Sequence, residues 1–267
     1  MSAPLLAAAL LATAAGSSHA ADPGPLITDR PDVTESPSTL ERGRVQIEAG
    51  YNFVSFDLDG ETVEVSNLPA SLVRVGLTPG VELRLEWLGV VSESREVGNS
   101  RSDESGSGNT ALGAKIKLRD ERGAAPRLAI LVDAVLPTGS RSLRTERIDP
   151  GLRLAAGHTL SERLGLGYNL GVVAASLEDG TGDVDTHGLG RYSVSLGIGV
   201  TERWGSFVEL FGFIPISGPE RPANLIDAGF TYLASDSVQL DFSGGVGLSD
   251  QANDWFVGAG ISIRLPR

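Results

Sequence analysis

From Arg44 onward, apolar and polar residues alternate in one short segment after another. Residues 81–87, VELRLEW, show the pattern at its sharpest: Val81, Leu83, Leu85 and Trp87 share one face of an extended chain, and Glu82, Arg84 and Glu86 the other. Twelve such segments lie near 44–56, 69–77, 81–91, 109–118, 127–137, 149–158, 163–175, 190–200, 205–214, 225–233, 238–248 and 254–265. Most are close to the ~9–11 residues with which a tilted strand crosses a bilayer. The links alternate in length. TPG, LSER, TERW and ASDS are short and RDERGAAP slightly longer, whereas SESREVGNSRSDESGSG and LEDGTGDVDTHG are long and polar. Short turns at one end and long loops at the other mark an up-and-down membrane barrel.

The face opposite the charges decides between a barrel and a soluble sandwich. In NTALGAKIKL, Thr110, Leu112, Ala114, Ile116 and Leu118 oppose Lys115 and Lys117. In the seventh and twelfth segments, Leu164, Leu166, Tyr168, Leu170 and Val172, and then Trp255, Val257, Ala259, Ile261 and Ile263, oppose glycines and polar residues. All twelve segments have one face without Asp, Glu, Lys or Arg, as hydrocarbon requires when Lys or Arg at mid-depth costs ~2–4 kcal/mol. A sandwich would not sort its loops by length and would protect its edges with charge or proline. The expected fold is therefore all-β: a twelve-stranded antiparallel transmembrane up-and-down β-barrel over 44–267, with both termini on the short-turn, periplasmic side. Twelve strands ~4.8 Å apart and tilted ~40° enclose a backbone cylinder roughly 24 Å across.

Composition narrows the classes further. Residues 1–20 are uncharged and apolar and end in Ser18-His19-Ala20, which predicts a signal peptide cleaved after Ala20, although no Lys or Arg opens it. The net charge of −12 argues against a nucleic-acid partner. Cysteine is absent, so pairing and packing must hold the exported chain without disulfides.

Several stretches resemble one family. They are ITDRPDVTESP (27–37), NTALGAKIKL (109–118), VLPTGS (135–140), LGLGYNLG (164–171), FVELFGF (207–213) and, most specifically, the C-terminal block DAGFTYLASDSVQLDFSGGVGLSDQANDWFVGAGISIRL. Together they resemble the family called "putative MetA-pathway of phenol degradation", which implies a Gram-negative outer-membrane transporter whose substrate the name does not settle. Its partners would be outer-membrane lipid and lipopolysaccharide, the barrel assembly machinery and a small-molecule solute. The chain departs from the usual terminal aromatic that this machinery reads: Leu265 stands there, followed by Pro266-Arg267. No signal sets the oligomeric state.

The inward parity selects candidate lumen residues of both signs: Glu48, Arg74, Glu82, Arg84, Glu86, Lys115, Lys117, Asp133, Arg153, Arg191, Glu209, Asp227, Asp241 and Arg264. They either brace the wall in cross-strand pairs or form a selective eyelet. Glu82 or Glu86 against Lys115 or Lys117 is the first pair to test. Leu88, Phe207, Phe211, Phe213 and Phe256 break the polar-inside rule, either as an apolar ligand path or as packing against a loop or the N-terminal segment. Inward glycines in the later segments either thin the wall or permit its bends. Residues 21–43 are proline-rich, charged and aperiodic: a flexible periplasmic leader or a plug, with Asp29, Arg30, Asp32 and Glu35 as plug contacts and Arg30 meeting a lumen carboxylate.

The expected function is passive or facilitated passage of small solutes, aromatic or hydrophobic compounds among them. The alternatives are a barrel-borne hydrolase and an adhesive barrel acting through its loops. A hydrolase needs a serine–histidine pair, for which His158 and Ser161 are the available residues, and no G-x-S-x-G occurs. The reading is not enzymatic, with no cofactor and no metal. Asp179, Asp183 and Asp185 lack the glycine and glutamate of a calcium loop.

Overall fold

The computed structural model describes residues 24–58, 60–178, 183–218 and 221–265. The expected signal peptide lies outside them. Among the described residues there are fourteen strands: β1 (Val45–Leu58), β2 (Glu61–Thr78), β3 (Val81–Trp87), β4 (Val90–Val97), β5 (Ser100–Ser107), β6 (Thr110–Arg119), β7 (Arg127–Leu136), β8 (Asp149–Thr159), β9 (Leu164–Glu178), β10 (Val184–Gly199), β11 (Trp204–Pro215), β12 (Ala223–Ser235), β13 (Val238–Gly247) and β14 (Trp255–Arg264). β2 pairs with β3 over its second half and with β4 over its first, so β3 and β4 are one barrel strand interrupted at Leu88-Gly89. β5 and β6 continue each other in the same way, pairing with β4 and β3. Every remaining neighbour is antiparallel, and β1 closes on β14 from Gln46↔Arg264 to Ser55↔Trp255. The result is a closed barrel of twelve strands.

Burial is inverted relative to a soluble protein. Along β13, Gln239, Asp241 and Ser243 are buried while Leu240 and Phe242 are exposed. The bulkiest fully buried side chains are Arg74, Lys115, Gln46, Glu48, Glu82 and Glu209, none of them apolar. In water such a chain would hide its charges and show its leucines, the reverse of what folding rewards. With hydrocarbon outside, the arrangement is the stable one, because closure satisfies every strand edge and the alternation sends charge to the interior. This removes the sandwich.

Two expectations change. SESREVGNSRSDESGSG is not a loop; most of it forms the β4–β5 hairpin, turning at Gly98, whose φ of 60° suits glycine. Both its faces carry charge, Glu93 and Arg95 on one and Glu96 on the other, so it stands clear of the hydrocarbon. Strands are also longer than expected at the long-loop end: β2 begins at Glu61 rather than near 69, and β9 runs to Glu178. Cross-strand pairing outweighs the polar composition that read as loop.

Residues 24–43 lie within the barrel. Arg264 donates to the Gly24 carbonyl and the Leu26 amide to Asp236, both at the short-turn end. The chain then rises to mid-height at Asp29–Glu35 and returns, with the Gly43 amide bonded to Gly76 before β1 begins. We call this in-lumen segment the finger.

A charge on the outer face should test the inversion. Leu170, mid-way along β9, is 68% exposed. Leu170→Arg is expected to cost ~2–4 kcal/mol of folding free energy, against much less for Leu170→Ala, by denaturant titration in lipid vesicles.

Candidate functional site

The finger is held by charge. Asp29 is almost fully buried and stands at the centre: its carboxylate accepts from Lys115 Nζ at 2.7 Å and Arg84 Nη1 at 2.5 Å and lies 3.2 Å from Arg74 Nη1. β2, β3 and β6 deliver these three cations at neighbouring positions of the wall, because inward residues recur every second position. Glu82 and Glu48 complete the cluster, Glu82 through two bonds from Arg74 at 3.0 Å and Glu48 through the Asp29 amide and Arg74. Burial pushes the Asp29 carboxyl up, but Arg74, Lys115 and Arg84 outweigh it and hold it well below its ordinary 3.8. A depressed value keeps this contact charged at every pH above that point, and it weakens only as strong acid protonates Asp29.

The other finger contacts divide by sign. Arg30 pairs with Asp241 on β13 at 3.1 Å. Glu35 lies 2.8 Å from Arg84, 3.4 Å from Lys115 and 3.5 Å from Arg153. Glu209 accepts the Val33 amide at 2.6 Å and the Thr34 hydroxyl, and Asn169 exchanges two bonds with the Glu35 backbone. Asp32 is the exception: burial, then Glu209 beside it, raises its carboxyl well above the usual range, with Ser195 opposing. The cationic wall thus meets Asp29 and Glu35, and the acidic wall of β11 and β13 meets the finger's arginine and its backbone amides.

Inward glycines form the bed of the finger. Arg30 lies across Gly50 and Gly260, where a Cβ on Gly260 would come within 2.5 Å of Nε. Thr34 rests on Gly167, Pro37 on Gly157, and the Leu40–Glu41 backbone on Gly76. At these five positions the thin wall has a filler.

The remaining expected residues sort by height. Glu82 and Lys115 are register partners, yet only 3.8 Å apart at closest, because Lys115 turns to Asp29. Lys117 pairs with Asp120 at the rim, Glu86 is half exposed 3.5 Å from Arg84, Arg191 binds Asp133 at 3.0 Å, and Arg264 anchors the finger's start. Asp227 is buried beside its register partner Glu209.

The apolar path is not continuous. Phe207 covers Gly229, and Phe256 packs edge-on to Phe211 at 6.0 Å over Gly245. Leu88 sits at the β3–β4 break, 48% exposed, since that strand's alternation restarts there. Phe213 is 40% exposed, above the packed rings, and shares a cavity with Phe211. His158 meets the Tyr168 hydroxyl at 3.3 Å, while the Ser161 hydroxyl accepts turn amides, so these two residues do not form the pair a hydrolase needs. Asp179 lies outside the described residues, and Asp185 belongs to β10.

Sequence reasoning missed Ser193, whose hydroxyl accepts the Thr34 hydroxyl, Gln46, which donates to the Ile27 carbonyl, Asn169 and the finger's backbone donors, because period alone shows that a polar residue faces inward but not what it meets. ITDRPDVTESP does carry both signs, a signal that it needs partners of both signs.

Since the chain has no cysteine, a single reporter reads the finger cleanly. In a Thr34→Cys background, where the site is 6% exposed, Asp29→Ala should speed maleimide labelling at least about tenfold, because it removes the one carboxylate that Arg74, Arg84 and Lys115 share.

Two of the solved structures similar to the chain in fold illustrate the likeness. The NanC porin is 8% identical, with a TM-score of 0.54 over 83% of this chain and 100% of that one. The translocator domain of autotransporter NalP from Neisseria meningitidis is 13% identical, with a TM-score of 0.54 over 83% of this chain and 88% of that one. No curated protein sequence matches. The profile of the family described as "Putative MetA-pathway of phenol degradation" matches residues 28–265, which takes in the finger from Thr28 as well as the whole barrel, and the chain belongs to that family.

Proposed function

We propose that the protein is an outer-membrane channel passing small solutes, aromatic or hydrophobic compounds among them, and that the finger closes it at rest. The observation that carries this reading is the seating of Asp29 among Arg74, Arg84 and Lys115. With the finger in place, four carboxylates (Asp29, Glu35, Glu48 and Glu82) meet three cations; without it, Glu48 and Glu82 remain. Charges left in a vacated lumen would be hydrated, so the wall can exist open or closed, whereas a purely structural core would be apolar or fully self-paired. The short turns lie at the end where the finger enters, which suits a periplasmic origin for it.

The test is single-channel conductance in planar bilayers of the refolded chain, of a variant lacking 24–43, and of Gly167→Val, where an added Cβ would lie 3.0 Å from the Thr34 methyl of the finger and meet no other group within 4 Å. Discrete steps that are larger or more frequent in both variants than in the full chain are expected. Silence from a variant shown to be folded by heat-modifiable gel mobility would remove the channel reading. Conductance unchanged by either alteration would remove the finger as its closure.

A further inference from the structure

On the long-loop side of the finger is a cavity of about 60 Å³ whose floor is Val33 and whose wall carries Arg153, Arg191, Phe211 and Phe213. The register explains how the two arginines come together. Arg153 on β8 and Arg191 on β10 both stand opposite Gly171 on β9, so the two guanidinium groups flank a position without a side chain. Phe213 is the register partner of Arg191 on the next strand, and Phe211 stands one inward position below it. A row of two cations thus runs directly into two rings, and Phe256 braces the lower one edge-on.

The cations have donors to spare. Arg191 uses Nη2 on Asp133, and Arg153 has Glu35 at 3.5 Å, yet the Nε groups of both are buried and meet no hydrogen-bond acceptor among the described residues. Buried donors without partners are uncommon and call for an acceptor. The finger offers a partial answer at its tip, with an apolar group, Val33, on the ring side and a carboxylate, Glu35, on the arginine side.

We propose that this cavity recognises a small aromatic carboxylate, and that the solute and the finger tip compete for it. The carboxylate bridges Arg153 and Arg191 above Gly171, and the ring takes the place of Val33 against Phe211 and Phe213. A benzene ring needs a cavity on the order of 150 Å³, so the solute fits only as Val33 and Glu35 withdraw. Binding therefore loosens the Glu35 contacts to Arg153 and Arg84, and the arriving anion supplies the charge that Glu35 gave up. The inference rests on the channel reading for its physiological meaning, but the binding itself is measurable without any pore.

Calorimetric titration of the refolded full chain with benzoate and with benzyl alcohol tests it. Benzoate should bind at least about tenfold more tightly than the neutral alcohol, the range for hydrogen bonds to charged groups. Arg153→Gln/Arg191→Gln should abolish that preference. Glu35→Gln should tighten benzoate severalfold by removing the competitor, a result that does not depend on the double variant folding. Equal affinity for the two compounds, an unchanged preference in the folded double variant, or no benzoate binding in either the full chain or Glu35→Gln would each overturn the site. If benzoate fails while the chain lacking 24–43 conducts, the site alone is lost. If benzoate binds and that chain is silent, the channel reading is lost and the binding site stands.

Discussion

The interior of this barrel depends on one carboxylate. Asp29 is surrounded by Arg74, Arg84 and Lys115, which β2, β3 and β6 hold close together in a space lipid seals off from outside. Three cations this close repel one another, and taking any of them out of water is costly unless counter-charge is near. Glu82 and Glu48 supply part of it from the wall, and the finger supplies the rest. The path of residues 24–43 follows from this. The chain must rise far enough for Asp29 to reach the cluster, and its return brings the Leu40 amide to Glu82.

Two kinds of complementarity act together. Charge sets the position of the finger, Asp29 and Glu35 towards β2, β3, β6 and β8 and Arg30 towards β13. Missing side chains set its depth, because Gly50, Gly76, Gly157, Gly167 and Gly260 let it lie against the wall. Either alone would be weak: charge in a watery lumen is screened, and a smooth trough holds nothing in register. Together they define a bound position that solvent and counter-ions could replace.

Much of the fold was legible in the sequence because a strand in a membrane obeys a strict period of two with a depth-dependent penalty on charge. VELRLEW needs only that rule to assign Glu82 and Arg84 to the interior. The β4–β5 hairpin was not legible, because outside the hydrocarbon the penalty vanishes and Ser92–Ser107 could be loop or strand at similar cost. The site was legible only in outline. Parity assigned Arg153 and Arg191 to the lumen, but that both stand opposite Gly171 is a fact of register, which β8, β9 and β10 fix jointly. The phenylalanines were legible to the same degree: parity could not say that Phe207 and Phe256 lean over glycines of neighbouring strands while Phe213 rises clear of them.

The finger's contacts also bear on the order in which the molecule is made. It bonds to residues of β1, β2, β3, β6, β9, β11 and β13, so its partners stand on opposite sides of a cylinder that exists only once β1 has joined β14. An open sheet can offer some of these groups but never the whole set. Although it precedes the first strand in the chain, the finger can reach its final contacts only after the last strand is in place. Its docking is thus a chemical record that the seam has shut.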